Sequence, residues 1–116
     1  NDMIDSNYYD KEIKYQELID ASNNLKGIAG ADSIIVEDAD RLVITLPKDL
    51  KDNFKNGDVE LINNSAKEGD LLLKLTPDAN GKFYIQRNKL VTGGYKIRIK
   101  WVSGEKTYYK EQTIFI

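Results

Sequence analysis

The apolar residues of this chain change their spacing at one place, after Gly27. Before it, apolar side chains from Tyr8 to Leu25 recur every three or four residues, which is the period of an amphipathic helix. Beyond the short hinge at 28–31 they alternate with polar residues, which is the period of a half-buried strand. The sequence therefore predicts one N-terminal helix followed by an all-β domain.

Turn signals divide the β part into short segments of alternating residues. Strands are expected over 33–37, 41–46, 59–63, 71–75, 83–86, 95–101 and 106–116. Asn56 and Gly57 are interpreted as a turn, after a loop or single helical turn at 48–54. The clearest strand has one apolar side, predicted to be structural core: Tyr95, Ile97, Ile99 and Trp101. About seven strands at this spacing predict a mainly β fold, an immunoglobulin-like antiparallel β-sandwich preceded by one α-helix.

The composition restricts the chemistry that this chain can perform. It contains no Cys, no His and one Met. The usual copper ligands and the commonest catalytic bases and nucleophiles are therefore scarce or missing. We predict no enzyme activity, no catalytic residue, no cofactor and no metal site. A formal net charge of -2 without any basic block also predicts no nucleic-acid partner.

Five tyrosines are candidates for contact with a partner: Tyr8, Tyr9, Tyr84, Tyr108 and Tyr109. On strict alternation Tyr84 and one of Tyr108 or Tyr109 point away from the core, although cross-strand pairing would explain them equally well. Tyr8 and Tyr9 would lie near a membrane interface if an anchor precedes Asn1. Packing of the helix on the sandwich is at least as good an explanation for these two.

Three segments carry a resemblance to a known family: NYYDKEIKYQELID at 7–20, SAKEGD at 65–70 and GGYKIRIKWVSGEKTYY at 93–109. Together they resemble FixH over nearly the whole chain. The resemblance implies that residues 1–30 are a juxtamembrane-type helix with a hinge, and that 31–116 are the sandwich. The chain departs from the family pattern at Asn63 and Asn64, where an aromatic residue, Arg and Pro are expected before Ser65.

The resemblance implies a non-catalytic accessory role in the assembly, or in the copper or haem maturation, of a cbb3-type cytochrome c oxidase. It implies a single-pass anchor in the bacterial cytoplasmic membrane, with this domain on the periplasmic side. The implied partners are membrane proteins, either oxidase subunits or a copper-exporting ATPase. The sequence makes no prediction of oligomeric state.

An alternative hypothesis is a cell-surface sandwich that binds carbohydrate or peptide. Its binding platform would be Tyr84, Tyr108 or Tyr109, and it requires exposed aromatic rings gathered in a concavity. The position of those rings in the fold distinguishes the two hypotheses.

Overall fold

The computed structural model describes residues 14–64 and 70–116. Short 3₁₀ turns lie at Ala31–Ser33 and Arg87–Lys89. The helices and strands are α1 over 14–24, β1 Ile35–Glu37, β2 Arg41–Thr45, α2 Lys48–Lys51, β3 Phe54–Asn63, β4 Leu71–Lys74, β5 Lys82–Gln86, β6 Gly94–Ser103 and β7 Lys106–Phe115.

The strands of the described residues form two antiparallel sheets. The three-strand sheet has the order β1-β2-β5, and the four-strand sheet has the order β4-β3-β6-β7. Pairing of β2 with β5 in one sheet and of β3 with β6 in the other is the Greek-key arrangement of an immunoglobulin-like sandwich. The predicted mainly β fold with one N-terminal helix is confirmed.

The core lies between the two sheets, and β6 supplies its largest side chains. Tyr95, Ile97 and Ile99 are 0% exposed and Trp101 is 1% exposed. The Trp101 ring stacks on Tyr108 with 5.6 Å between the ring centroids. The Tyr95 hydroxyl accepts a hydrogen bond from the backbone N–H of Val91 at 3.0 Å. The Trp101 indole Nε1–H is buried and has no acceptor among the residues that the structure describes.

Asn56 and Gly57 do not form the predicted turn, because both lie inside β3. Gly57 pairs directly with Trp101 on β6, and a Cβ added at Gly57 would stand 2.7 Å from the Trp101 Cβ. A glycine can mark a place where two strands approach closely, and not only a turn. The strand therefore continues through this pair, with one irregularity of register between Phe54 and Asn56.

Helix α1 packs against the sandwich near its C-terminal end. Ala21 is 1% exposed, and Leu25, just past the helix, is 6% exposed and belongs to the same buried cluster as the β6 core residues. The Asn24 side-chain amide donates to the carbonyl oxygen of Thr107 on β7 at 2.9 Å. Gly27 ends the turn after the helix with a φ of 82°, a conformation that favours glycine. One outer face of the sandwich is therefore partly covered by this helix.

Candidate functional site

Tyr84 lies on the outer face of the three-strand sheet. It stands in register with Val43 on β2, which in turn pairs with Val36 on β1, so one apolar row crosses all three strands. Tyr84 is 40% exposed and Val36 is 46% exposed, whereas Val43 between them is 9% exposed. Because side chains alternate along a strand, this row points away from the core that Leu42, Ile44 and Ile85 enter.

A cation lies over the Tyr84 ring. The Arg41 guanidinium carbon stands 4.2 Å from the ring centroid, which is cation–π geometry. Arg41 pairs with Gln86, two register positions from the Val43–Tyr84 pair and on the same face, so its side chain reaches diagonally to the Tyr84 ring. The Tyr84 face is defined here by the outward side chains of the three-strand sheet: Val36, Arg41, Val43, Thr45, Lys82, Tyr84 and Gln86.

The prediction that Tyr108 is available to a partner is wrong. Tyr108 is 6% exposed, and its ring lies against Trp101 inside the sandwich. Tyr108 pairs with Trp101 across β6 and β7, so both side chains point to the same inner side of the sheet. Tyr108 is a core residue.

Tyr109 points outward as alternation predicts, but it is 9% exposed, so its predicted availability to a partner is also wrong. The reason is α1, which lies over the outer face of the four-strand sheet at this point. Leu18 and Ser22 of the helix line surface grooves together with Tyr109. The sequence signal for burial was present in the apolar side of the helix, but not in the strand itself.

The Tyr109 hydroxyl links two charged side chains beneath the helix. Arg98 Nε donates to the Tyr109 hydroxyl at 2.9 Å, and that hydroxyl donates to Glu111 Oε2 at 2.6 Å. Glu60 lies 3.7 Å from Arg98 Nη1, and Lys96 Nζ lies 3.7 Å from Glu111 Oε1. We call this set the Tyr109 cluster. Each of its charges has an opposite charge beside it.

Hydrogen bonding and burial shift the titration of three members of the cluster. The hydrogen bond from Tyr109 lowers the pKa of Glu111, with further lowering by Lys96 and Arg98. Burial, followed by the hydrogen bond to Glu111, raises the pKa of Tyr109. The hydrogen bond with Tyr109 raises the pKa of Arg98. At neutral pH these shifts favour a neutral Tyr109 hydroxyl between a charged Arg98 and a charged Glu111. The hydrogen bonds between them hold the three side chains in place beneath α1.

Two grooves flank Leu18 on the outer face of the four-strand sheet. One is about 350 Å³ and lies between α1 and the Tyr109 cluster, and the other is about 200 Å³ and reaches Leu72 on β4. The predicted candidates Tyr8 and Tyr9 lie outside the described residues. Of the described candidates, Tyr84 and Tyr109 are on opposite outer faces and Tyr108 is inside. The structure thus does not bring these rings together in the concavity that the ligand-binding hypothesis requires.

Sequence reasoning missed Arg41, Val36 and Val43 as members of a surface. The apolar residues along β1 and β2 were evident in the sequence, but the pairing of β2 with β5 was not. The residues described by the structure contain no group of three or more His, Cys, Asp or Glu placed to hold a metal ion. Within 14–64 and 70–116, no helix has both the length and the apolar character needed to cross a membrane.

Comparison with known proteins gives one match. The family model for FixH matches residues 1–115. A search of curated proteins found no match. A search of solved structures found none either. The match to the family model extends through α1 and both sheets, and the fold is the helix followed by a sandwich that the resemblance implied. This chain belongs to the FixH family.

Proposed function

We propose that this protein is a non-catalytic, membrane-tethered interaction module that assists the assembly, or the copper or haem maturation, of a cbb3-type cytochrome c oxidase. The observation that carries the proposal is the FixH match over residues 1–115, which includes the N-terminal segment as well as the sandwich. The chemistry of maturation would belong to the partners, because this chain has no His or Cys with which to hold copper.

The proposed arrangement places an anchor ahead of Asn1 in the cytoplasmic membrane, with the sandwich on the periplasmic side. In that arrangement Tyr8 and Tyr9 would be near the membrane interface, where amphipathic aromatic side chains are favoured. The proposed partners are oxidase subunits or a copper-exporting ATPase. The exposed Tyr84 face supports an interaction role, since Tyr and Arg are the residue types most enriched where interface binding energy is concentrated.

A deletion strain tests the role directly. We expect membranes from cells lacking this protein to show reduced cbb3-type oxidase activity, with reduced haem or copper in the purified oxidase. Expression of the full-length protein should restore both. Normal activity together with normal haem and copper content in the deletion strain would exclude the proposed role.

Affinity purification of the full-length protein from membranes of its own host tests the proposed partners. Oxidase subunits or a copper-exporting ATPase should be recovered with it, and neither should be recovered from a strain that carries only the affinity tag. Alkaline carbonate extraction and protease treatment of spheroplasts test the tether and the side of the membrane. A protein that is extracted by carbonate, or protected from protease, would contradict the proposed location.

A further inference from the structure

The dipeptide Asn-Gly occurs twice in this chain, at Asn56–Gly57 and at Asn80–Gly81. Such a dipeptide is chemically labile, because glycine has no Cβ to hinder attack of its backbone nitrogen on the side-chain amide carbon of the asparagine. Both asparagines are exposed, so exposure does not distinguish the two dipeptides. Their backbones do, since the first dipeptide lies in a strand and the second lies in a turn.

The strand holds Asn56 and Gly57 in a conformation that prevents the reaction. Inside β3 they pair with Val102 and Trp101 on β6, and the Gly57 carbonyl oxygen accepts from the Leu75 backbone N–H at 2.9 Å. The Gly57 nitrogen can reach the side-chain carbon of Asn56 only if the backbone of Asn56 rotates out of its extended conformation. That rotation breaks strand pairing in the four-strand sheet, so reaction at Asn56 requires extensive unfolding.

Asn80 and Gly81 lie in a surface turn at 78–82, which leads into β5. The first three residues of the turn, Asp78, Ala79 and Asn80, are exposed. The Gly81 backbone N–H donates to the Asp78 carbonyl oxygen at 2.9 Å, and this bond lies within the turn. Opening of the turn therefore frees the Gly81 nitrogen while the pairing of the strands is kept, and local openings of this kind cost less free energy than unfolding.

The Asp78 side chain holds this turn closed. Its Oδ1 atom accepts from the backbone N–H of Asn80 at 2.9 Å and from that of Lys82 at 3.0 Å. Short polar side chains often stabilise turns through such bonds to nearby backbone groups. Loss of both bonds would make the turn open more often, and the Gly81 nitrogen would be free for a larger fraction of the time.

We propose that Asn80 is a deamidation site of the folded protein, and that Asp78 limits the rate by holding the turn closed. The Gly81 nitrogen loses its proton and forms a bond to Asn80 Cγ. The Cγ–Nδ2 bond breaks, and the departing amide takes up a proton and leaves as ammonia. Solvent water then opens either carbonyl group of the resulting succinimide, which leaves aspartate or isoaspartate at position 80. The reaction requires no partner, so it is independent of the proposed function.

The isoaspartate product does not fit the turn. It places one additional methylene group in the backbone between position 80 and Gly81. Gly81 has little freedom to move, because its carbonyl oxygen accepts from the Leu46 N–H at 2.8 Å and a Cβ added to it would stand 3.0 Å from the Lys51 Cβ. Deamidation should therefore loosen the contact between this turn and α2.

Incubation of the full-length protein in detergent at mildly alkaline pH tests the site. Peptide mapping by mass spectrometry follows conversion of both asparagines, and isoaspartyl methyltransferase identifies the isoaspartate product. In the folded protein we expect Asn80 to convert at least about tenfold faster than Asn56, because only Asn80 reacts through a local opening. In concentrated urea the two asparagines should convert at similar rates, since both are followed by glycine.

Substitutions of Asp78 test its control of the rate. Asp78→Ala removes both side-chain bonds and should speed conversion of Asn80 about tenfold. Asp78→Asn keeps an acceptor oxygen and should give a rate closer to that of the wild-type protein. Conversion of Asn56 should change with neither substitution, which controls for a general loss of stability.

Three results would overturn the proposal for Asn80. One is an unmodified Asn80 in the folded protein after a time that converts the urea-unfolded protein completely. Another is equal conversion of Asn80 and Asn56 in the folded protein. The third is a rate at Asn80 that does not rise in Asp78→Ala, or that rises equally at Asn56, because either would show that the turn is not what limits the reaction.

Discussion

Gly57 faces Trp101 across β3 and β6, the two central strands of the four-strand sheet. A Cβ added at Gly57 would stand 2.7 Å from the Trp101 Cβ, 3.0 Å from the Lys100 carbonyl oxygen and 3.1 Å from Leu75 Cδ2. These atoms belong to the backbone or to buried side chains, so they cannot move away without disturbing the packing around them. We expect Gly57→Ala to lower the free energy of unfolding by about 1–3 kcal/mol, measured by urea denaturation.

Gly94→Ala is the matched control for Gly57→Ala. Gly94 lies on β6 and does not have a positive φ. A Cβ there would meet Asn64 Nδ2 at 3.0 Å and Phe115 Cε1 at 3.3 Å, which are the far ends of exposed side chains that can move. Gly94→Ala should therefore lower the free energy of unfolding by less than about 1 kcal/mol. Equal losses from the two substitutions would show that close packing on Trp101 is not the reason for Gly57.

Tyr109→Phe removes one hydroxyl from the Tyr109 cluster. That hydroxyl accepts from Arg98 and donates to Glu111, so its loss should lower the free energy of unfolding at pH 7 by about 1–2 kcal/mol. The pKa of Glu111 is lowered in the folded protein from its ordinary value of 4.5. The Glu111 carboxylate therefore contributes its full stabilisation of the folded state above about pH 4.5. That stabilisation is lost as the pH falls from 4.5 through the lower pKa that Glu111 has in the folded protein.

Urea denaturation of the wild-type protein and of Tyr109→Phe at pH 7 and pH 3 measures this dependence. The difference in unfolding free energy between the two proteins should be smaller at pH 3, because below pH 4.5 the unfolded chain gains a proton at Glu111 that the folded protein, with its lowered pKa, takes up only at lower pH. A difference that does not change with pH would show that the bond to Glu111 contributes no stability.

At the scale of elements, α1 is fixed to β7 by a specific hydrogen bond as well as by apolar contact. Asn24→Ala removes the amide that donates to Thr107 O at 2.9 Å, and it should lower the free energy of unfolding by about 0.5–1.5 kcal/mol. Asn23→Ala is the control, since Asn23 is the same residue type, adjacent and exposed. Thermal and urea denaturation of both variants would measure the two losses of stability. If Asn23→Ala is as costly as Asn24→Ala, loss of the bond is not the cause.

At the scale of the whole molecule, Leu25, directly after α1, belongs to one buried cluster with residues of both sheets. We therefore expect a single cooperative transition. Fluorescence of Trp101, the one tryptophan in the chain, should report the same unfolding midpoint as hydrogen exchange at the amides of Ala21 and Leu25. Exchange at those amides through an opening of much lower free energy than that of β6 would show that the helix detaches while the sandwich stays folded.

Much of the fold was predictable because strand alternation is a local property. The run from Tyr95 to Trp101 alternates strictly, and its apolar side is the side that is buried. The error at Asn56 and Gly57 arose because the same dipeptide suits a turn and a close strand contact. Only the facing Trp101, about 45 residues later in the chain, distinguishes the two.

The sequence by itself determined most of the elements of this protein and, for a strictly alternating strand such as β6, the direction in which each side chain points, because both follow from the spacing of neighbours along the chain. Tertiary structure alone decided which outward side chains stay accessible. Tyr109 points outward yet is covered by a helix more than eighty residues earlier in the chain, while Tyr84 stays exposed with Arg41 beside it because β5 pairs with β2. Exposure depends on contacts between residues that are far apart in sequence, and no local pattern encodes those contacts.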